Sequence, residues 1–322
     1  ITGTIMNQPF FLHQYAKDFE AFCENVRNWD LEYHQLENGH FKSELLLFGD
    51  DNTQFTHASI KRMMKQHGSS PQGLMTFGIL ANPSIKIHWR NIDITGDMLF
   101  VFPENGELNS VTQSDFDVYV ISLNEETINQ ACEKRKLPEI KTLIGTDEAF
   151  NCSSTHITEL RRWLQSTATT LTTIESTVRN KDFLRHIQQA AIEHLLDILS
   201  QQHYPVTRNR VRKRDTALLR AEKHIHRSKA GIITLSELCD ASNVSERTLE
   251  YAFHERYGMS PKTYILNHRL NSVHKQLRSA DPETGLVSRI AHQHGFWHMG
   301  KFSSDYKRLF TEKPSQTLKQ HR

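Results

Sequence analysis

The sequence predicts an α+β protein. An N-terminal antiparallel β domain of the jelly-roll or cupin-like type, with flanking helices, precedes an all-α domain in which a long helix joins two helix-turn-helix units. Three observations predict this fold class. Short apolar runs separated by turn residues occupy residues 30–122, which is typical of antiparallel sheets. Helical periodicity takes over from residue 125. One helix-turn-helix pattern occurs twice in the last third of the chain.

The length and composition indicate a globular protein with more than one domain. The chain has 322 residues, of which 37% are hydrophobic and 24% charged. No apolar run approaches the ~18 residues of a membrane helix, and the N-terminus has no signal-peptide pattern. The four cysteines are far apart, which favours free thiols in a reducing compartment. We therefore expect a cytoplasmic protein without a membrane partner.

The charge is divided unevenly along the chain. Residues 208–322 contain 22 Lys and Arg against 11 Asp and Glu, a net charge of +11. Residues 1–207 contain the remaining 17 and 26, a net charge of −9. Such asymmetry indicates that the C-terminal part faces a polyanion such as nucleic acid. A basic surface that only aids solubility is the alternative.

Five apolar runs in the N-terminal half predict strands. They are 41–48, 73–80, 85–89, 98–102 and 118–121, with turn residues such as Asn82-Pro83 between them. Asn105-Gly106, between two of these runs, predicts a hairpin turn. Many short strands without alternating helices favour a small barrel or a double-sheet jelly roll. Such a barrel either holds one small ligand or is filled by its own side chains.

Enzymatic chemistry has little support in this half. It contains ten of the nineteen histidines, including His34, His40, His57 and His88, but no His-x-His pair of the kind that jelly-roll metal enzymes use. It also lacks a Ser/His/Asp nucleophile motif and a Gly-rich phosphate loop. We therefore expect no enzyme, no metal site and no cofactor. A cupin-like enzyme fused to a DNA-binding module remains the alternative.

Residues 141–203 predict two helices, the first capped by Ser154 or Thr155. A seven-residue apolar spacing runs through the first helix and suits packing against a second copy of the chain. The predicted dimerisation residues are Ile157, Leu160, Leu164, Leu171, Ile174 and Val178. Packing against the next helix of the same chain is the alternative. A basic linker follows at residues 204–214, so the predicted domains are 1–140, 141–203 and 215–322.

The first helix-turn-helix unit follows a helix at residues 216–229 that Gly231 ends. A short helix, a tight turn at Ser242-Asn243-Val244 and a second helix capped by Ser245 are predicted. Gly258 ends the second helix. Its predicted inner face consists of Leu249, Phe253 and Tyr257.

The same pattern recurs after a long helix from Pro261 to Arg278, which Asp281-Pro282 breaks. Leu249, Phe253, Tyr257 and Pro261 return 53 residues later as Phe302, Tyr306, Phe310 and Pro314. Leu238-Cys239 and Val244 return 52 residues later as Ile290-Ala291 and Phe296. The turn of the second unit therefore contains one extra residue. A repeat this regular predicts two copies of one structural unit.

At these residues the chain resembles the AraC/XylS family of bacterial transcription regulators over roughly residues 215–320. The matching stretches are 235–239, 245–249, 258–261, 295–302 and 313–315. Residues 30–120 show a weaker likeness to ethanolamine-operon regulators. The resemblance implies a regulator of double-stranded DNA, more often an activator that recruits RNA polymerase than a repressor. It also implies an N-terminal domain, residues 1–140, that senses a small molecule or partner, and a homodimer. An architectural DNA binder without an effector is the alternative.

Two recognition helices would then enter successive major grooves about 34 Å apart. By resemblance, the base-reading positions are Arg247, Thr248, Glu250 and Tyr251 in the first helix, and His298, Met299, Gly300, Lys301 and Ser304 in the second. An arginine such as Arg247 suits guanine and a glutamate such as Glu250 suits the cytosine amine. Candidate phosphate contacts are Ser245, Arg269, Arg278, Lys307 and Arg308, with Lys301 also basic. Solvated side chains are the alternative at each position. We expect Trp297 inside the small core of the second unit.

Overall fold

The computed structural model describes residues 9–26, 28–90, 92–102, 108–176, 179–201, 204–205, 212–228, 233–282 and 286–319. The chain divides into two compact units. The first unit contains Ile1–Tyr33, Lys42–Lys61 and Gln66–Thr207, and the second contains His34–Phe41, Arg62–Lys65 and Arg208–Arg322. Two short segments from the N-terminal part of the chain thus belong to the second unit.

Antiparallel strands form the framework of the N-terminal part, as the sequence predicts. The strands are β1 (Phe10–Ala16), β2 (Asp30–Gln35), β3 (Ser43–Gly49), β4 (Thr53–Ile60), β5 (Met64–Ser69), β6 (Leu74–Leu80), β7 (Ile87–Trp89), β8 (Ile92–Ile94), β9 (Met98–Val101), β10 (Leu108–Val111), β11 (Phe116–Asn124), β12 (Ala149–Asn151) and β13 (Tyr204–Pro205). One sheet has eight strands in the order β1-β3-β4-β11-β6-β9-β12-β13, and the other has five in the order β2-β5-β10-β7-β8.

Strand β11 shows how alternation builds the two layers. It pairs antiparallel with β4 and β6, so that Val118 lies opposite both Ala58 and Leu80. Alternate residues point to opposite faces of a strand. Tyr119 and Ile121 pack into a hydrophobic cluster with the helices that follow, whereas Val118 and Val120 line a cavity inside the double sheet. Both faces of β11 are therefore covered.

The hairpin predicted at Asn105-Gly106 is not formed by its flanking strands. The turn itself lies outside the described residues. Strand β9 before it belongs to the eight-stranded sheet, and strand β10 after it belongs to the five-stranded sheet. The connection crosses between layers, because each strand finds its partners elsewhere in the chain.

Helices of the first unit complete its core. They are α1 (Phe19–Asn25), α2 (Glu125–Lys134), α3 (Ile140–Ile144), α4 (Ser154–Thr173) and α5 (Lys181–Leu199). Helix α4 is capped by Ser153, whose hydroxyl accepts a hydrogen bond from the His156 amide at 3.3 Å. The predicted cap at Ser154 or Thr155 was therefore wrong by one or two residues. None of the described helices has the length and apolar content that crossing a membrane requires.

The seam predicted for dimerisation is buried within the single chain. Ile157, Leu160, Leu164 and Leu171 are at most 1% exposed and pack against α5 and the eight-stranded sheet. Ile174 follows the end of α4 as its half-buried C-cap. Val178 lies outside the described residues. The dimerisation prediction for these four buried residues, one isoleucine and three leucines, is corrected, because the same spacing serves intramolecular packing.

The second unit is helical. Its helices are α6 (Lys213–Arg227), α7 (Leu235–Ser242), α8 (Glu246–Tyr257), α9 (Pro261–Ser279), α10 (Val287–Gln293), α11 (Met299–Phe310) and α12 (Pro314–Lys319). Helix α6 begins three residues earlier than predicted, and Gly231 lies outside the described residues. Helix α9 begins with Pro261 after the Ser260 cap, as local signals dictate. Its apolar face, including Tyr264, Leu270 and Val273, is buried.

Hydrogen bonds join the segment His34–Phe41 to α9. The Gln35 amide donates to Asn271 Oδ1 at 2.8 Å, and Asn271 Nδ2 donates to the Gln35 carbonyl oxygen at 2.9 Å. Asn267 Nδ2 donates to the Leu36 carbonyl oxygen at 3.0 Å. All four residues are buried, so these amide groups satisfy backbone polar groups that would otherwise be costly to bury.

Candidate nucleic-acid interface and an apolar cavity

The first helix-turn-helix unit is built by local capping. The Thr234 hydroxyl accepts from the Glu237 amide at 3.2 Å, and the Glu237 carboxylate accepts from the Thr234 amide at 2.8 Å. This capping box starts α7. Asn243 ends it in the left-handed region at φ 55°, which asparagine adopts more readily than most residues. The tight turn predicted at this position is confirmed.

Ser245 caps α8 and draws Thr248 into the cap. The Ser245 hydroxyl accepts from the Thr248 amide at 3.4 Å and lies 3.0 Å from the Thr248 hydroxyl. Leu249 and Phe253, on the opposite face, are completely buried. Because Thr248 is half-buried and bonded to the cap, it is the least available of the four predicted base-reading residues in this helix.

The outer face of α8 carries the other three predicted base-reading residues of this helix. Arg247 and Tyr251 are exposed, and Glu250 is half-buried between them. With Glu246 and His254 they line one open concavity on the surface. The Tyr251 side chain is 61% exposed, and its ring lies 5.2 Å from the Arg214 guanidinium. A large aromatic ring left in solvent indicates a contact surface.

The second unit repeats this arrangement around a different turn. Gly295 adopts a positive φ of 74°, and the Phe296 amide donates to the Ala291 carbonyl oxygen at 3.0 Å. Phe296 is 8% exposed and packs against Phe302 with ring centroids 5.0 Å apart. Phe296 thus occupies the buried position that the repeat predicts from Val244.

The exposed face of α11 is mostly polar. His298, Gly300, Lys301 and Ser304 are exposed, and Met299 is half-buried. A methyl group built on Gly300 would meet no atom within 4 Å. Gly300 is therefore not required by packing against the rest of the chain, which leaves the face open for another molecule.

Trp297 contradicts its predicted burial. Its side chain is 65% exposed and stacks on His292, with ring centroids 5.2 Å apart and 24° between the ring planes. The second turn has one residue more than the first, and Phe296 already fills the core position. The next residue is consequently placed outside, beside the start of α11.

The predicted phosphate contacts divide into available and engaged groups. Lys307 is exposed, and Arg308 is exposed but bonded to Asp305 at 2.7 Å. Arg278 is half-buried, and the Ser245 hydroxyl serves the helix cap. Arg269 is engaged inside the unit: it donates twice to the His294 carbonyl oxygen and lies 4.3 Å from the Phe296 ring. Burial lowers the pKa of Arg269. The prediction of a phosphate contact for Arg269 is therefore corrected.

The first unit contains an apolar cavity of about 50 Å³ between its sheets. Seventeen residues line it, among them Phe22, Trp29, Tyr33, Gln66, Trp89, Phe100 and Phe102. Both ends of the Gln66 amide are bonded: its Nε2 donates to the Tyr33 hydroxyl at 3.0 Å, and its Oε1 accepts from the Ser110 hydroxyl at 2.6 Å.

The indole nitrogens of Trp29 and Trp89 are buried and have no hydrogen-bond partner among the described residues. Buried polar groups of this kind are uncommon and call for an explanation. Both side chains also line the cavity. Sequence patterns did not predict these two residues, because the pairing of a donor depends on the assembled sheets.

A group of three histidines, His34, His226 and His268, was also not predicted as a site. Each comes from a different segment of the second unit. Their spacing in the chain follows no metal-binding motif, so only the folded structure brings them together.

Known proteins with helix-turn-helix domains are similar in sequence to the helical second unit. A family model described as a helix-turn-helix domain matches residues 238–320. XylDLEGF operon transcriptional activator 1 of Pseudomonas putida is 23% identical over 226 residues, which cover 70% of this chain and 67% of that protein. XylDLEGF operon transcriptional activator 2 of Pseudomonas putida is 32% identical over 101 residues, covering 31% of this chain and 62% of that protein.

Among solved structures, the crystal structure of a probable AraC family transcriptional regulator from Rhodopseudomonas palustris CGA009 is 33% identical. It covers 33% of this chain and 97% of its own, with a TM-score of 0.31. The likeness of residues 30–120 to ethanolamine-operon regulators stays a prediction. With two helix-turn-helix units and these sequence similarities, the chain belongs to the AraC/XylS family of DNA-binding transcription regulators.

Proposed function

We propose that this protein is a transcription activator that reads two successive major grooves and whose N-terminal domain responds to a small apolar effector. The observation that carries the proposal is the pair of recognition helices, α8 and α11, each with a buried apolar face and an exposed polar face. The relatives named above are themselves described as transcriptional activators. Acting on a bacterial promoter places the protein in the cytoplasm and makes RNA polymerase a partner.

The two helices contribute unequally to sequence selection. Arg247 has the length and the paired donors to bond guanine O6 and N7, and the Glu250 carboxylate can accept from a cytosine amine. Tyr251 adds an exposed ring for apolar contact with a thymine methyl group. On α11, Gly300 contributes no side chain, so readout rests on His298, Lys301 and Ser304 and on DNA shape. We infer that α8 selects the sequence and α11 chiefly anchors the protein.

Phosphate contacts supply most of the affinity. The exposed Lys307, with Arg308 and Lys301 on the same helix, provides positive charge along α11. Backbone amides at the start of α8, beside Ser245, are suited to a phosphate oxygen. The net charge of +11 in residues 208–322 supports this distribution. Because each contact releases counterions, binding weakens steeply with salt.

The effector class follows from the cavity. Its lining is mostly aromatic and aliphatic, and two of the side chains that line it have indole N–H groups without a hydrogen-bond partner among the described residues. A complementary ligand is apolar and carries an oxygen acceptor such as a carbonyl or carboxylate. A cavity of roughly 150 Å³ accommodates benzene, so at about 50 Å³ this one must widen to admit a ring. That widening is a structural change through which a ligand can alter the first unit.

A homodimer remains part of the proposal, although its contact is not the buried seam of α4. Binding to paired half-sites is the usual reason for a symmetric regulator. Sedimentation of the full chain at several concentrations, with and without operator DNA, measures the association state. A monomer under every condition would contradict the dimer and leave the DNA-reading proposal intact.

Selection of binding sites from a random DNA pool tests the central proposal. The full chain should enrich one sequence with two conserved blocks about one helical turn apart, and it should raise transcription from a promoter carrying that sequence when RNA polymerase is added. Failure to enrich any sequence would contradict specific recognition, and reduced transcription would contradict activation.

A thermal-shift screen of small aromatic and aliphatic carboxylates tests the effector. Trp89→Phe keeps an aromatic side chain, though a smaller one, and removes the N–H donor, so it should weaken binding of a carboxylate by about 1.5–3 kcal/mol. The matched hydrocarbon, which has no acceptor, should bind the wild-type protein and Trp89→Phe equally. Equal carboxylate binding by both proteins would show that the indole does not contact the ligand.

A further inference from the structure

Three histidine side chains converge in the second unit, and none of them belongs to α8 or α11. His34 lies at the end of β2, His226 lies in the last turn of α6, and His268 lies in the middle of α9. One ligating nitrogen from each ring lies within 4.8 Å of the others. The ring centroids are 4.9 to 5.7 Å apart. Three segments that are distant in the chain therefore present three imidazoles to one point.

We propose that His34, His226 and His268 form a binding site for a divalent transition metal, with Zn²⁺ the best-matched ion. Neutral imidazole is a preferred zinc ligand, and three histidines with one open position form a common zinc coordination set. With no carboxylate among the three ligands, the set does not suit Mg²⁺ or Ca²⁺, which prefer oxygen.

The spacing of the nitrogens fits tetrahedral coordination after a small adjustment. Zn–N bonds of about 2.0–2.1 Å at tetrahedral angles place two ligand nitrogens roughly 3.4 Å apart. His268 Nε2 and His226 Nδ1 are already 3.3 Å apart. The three ligating atoms lie within 4.8 Å of one another, so metal binding would bring them closer by at most about 1.4 Å.

The backbone around the cluster is held in place, as a metal site requires. Gln35, the residue after His34, exchanges two hydrogen bonds with Asn271 on α9, at 2.8 and 2.9 Å. Asn271 lies three residues beyond His268, about one turn along the same helix. The registers of His34 and His268 are thus locked together by buried amides. Preorganised supports of this kind raise metal affinity.

The exposure of the cluster explains how an ion would enter and what would complete its coordination. His226 is exposed, whereas His34 and His268 are half-buried. A metal bound here has a solvent-facing fourth position, which water or a small anion can fill.

A bound metal would connect α6, α9 and the segment His34–Phe41. Helix α6 packs against α7 and α8 of the first helix-turn-helix unit, and α9 leads to the second. Zinc would therefore stabilise the helical framework that carries both recognition helices. Because metal binds the folded site and not the unfolded chain, it raises the melting temperature of the full-length protein.

The experiment uses the full-length protein, stripped with a chelator and dialysed, with Zn²⁺ alone as the probe. Calorimetric titration should show one equivalent per chain, and the melting temperature should rise with free Zn²⁺. Mg²⁺ should produce neither effect. Co²⁺ should give the intense visible absorption of a four-coordinate site. Absence of stoichiometric Zn²⁺ binding would overturn the proposal.

Substitutions identify the ligands. His226→Ala removes an exposed side chain and should fold normally, while His268→Gln retains a polar group of similar size. Since changing only a supporting residue costs 10–100-fold in metal affinity, losing either ligand should lower affinity by about 100-fold or more. His224→Ala is the matched control, because a residue two positions away on α6 points to another side of the helix.

The control distinguishes Zn²⁺ binding at the three-histidine site from Zn²⁺ binding at other histidines of the chain. His224→Ala should bind Zn²⁺ with wild-type affinity and stoichiometry. If His226→Ala and His268→Gln also bind like the wild-type protein, or if all three variants lose binding equally, the three-histidine site is wrong. DNA binding by these variants need not be measured, so the outcome is independent of the proposed function.

Discussion

Arg269 and His294 are joined by two hydrogen bonds from one guanidinium to one carbonyl oxygen. Arg269 Nε donates at 2.9 Å and Nη2 at 2.7 Å. Arg269 belongs to the linking helix α9, and His294 is the C-cap of α10. The guanidinium also lies 4.3 Å from the ring of Phe296, the next core residue of the turn. The linking helix therefore positions the second turn directly.

Arg269→Ala should destabilise the protein by about 1.5–3 kcal/mol, the usual cost of losing a hydrogen bond to a charged group. The dependence of DNA affinity on salt should keep its wild-type slope, because no phosphate contact is lost.

Lys307→Ala should have the opposite effects. Its stability should change by less than about 0.5 kcal/mol, and the slope of log affinity against log salt concentration should become shallower by about 0.9. Denaturation and salt titrations measure both. A shallower slope with unchanged stability in Arg269→Ala would restore its role as a phosphate ligand.

Arg247→Ala should cost about 1–3 kcal/mol on the selected site and relax preference at one base position. The reason is the loss of paired hydrogen bonds to a guanine edge. Competition binding against single-base variants of the site measures the effect. Arg220→Ala removes the same charge from an exposed position on α6 and should leave base preference unchanged. A uniform loss on every sequence for Arg247→Ala would show that it contacts phosphate only.

The buried Lys65–Glu222 ion pair should lose more stability when one partner is replaced than when both are replaced. Lys65 Nζ lies 3.3 Å from Glu222 Oε2, and the two side chains are 4% and 5% exposed. Lys65→Met or Glu222→Leu alone leaves a buried charge without its partner, at a cost of about 3–5 kcal/mol. The double variant should recover most of that loss, since both charges are removed. A double-mutant cycle by denaturant unfolding checks this, and additive losses would contradict it.

Acid should weaken the second helix-turn-helix unit through His294. Burial, and then the neighbouring Arg269, lower the pKa of this imidazole. The unfolded state therefore binds the proton more readily than the folded state. The stability that the neutral His294 side chain contributes is fully present above the ordinary pKa of about 6.5, and it is lost as pH falls below that value. Melting temperatures between about pH 7.5 and 5.5 should fall less in His294→Gln than in the wild-type protein. His254→Gln, at an exposed position on α8, should follow the wild-type curve.

Gly300→Ala should not destabilise the protein and should raise its stability by up to about 1 kcal/mol, because alanine favours helix more than glycine and the position is open. Gly78→Ala is the contrasting control: its added methyl group would clash with the Phe100 ring, so stability should fall. Specific DNA affinity should change little in Gly300→Ala. A loss of tenfold or more would show that the backbone at Gly300 approaches the DNA closely.

The sequence by itself determined the elements whose signals are local. Ser245, Gly258 and Pro261 act on residues a few positions away, so the boundaries of α8 and α9 follow from capping and proline chemistry. The 52- and 53-residue spacings determined the second unit in the same way. Alternation also predicted an antiparallel β domain, because strands leave a two-residue period that is independent of their partners.

Only the tertiary structure decided which faces and polar groups find partners. The seven-residue apolar spacing of α4 suits packing against a second copy or against the same chain equally. In the folded chain these apolar residues pack against α5 and the eight-stranded sheet. Trp297 is exposed because Phe296 fills the core first. Arg269 is basic in any sequence pattern, yet a carbonyl oxygen from another helix captures it. These outcomes depend on distances between remote segments, which one-dimensional periodicity does not contain.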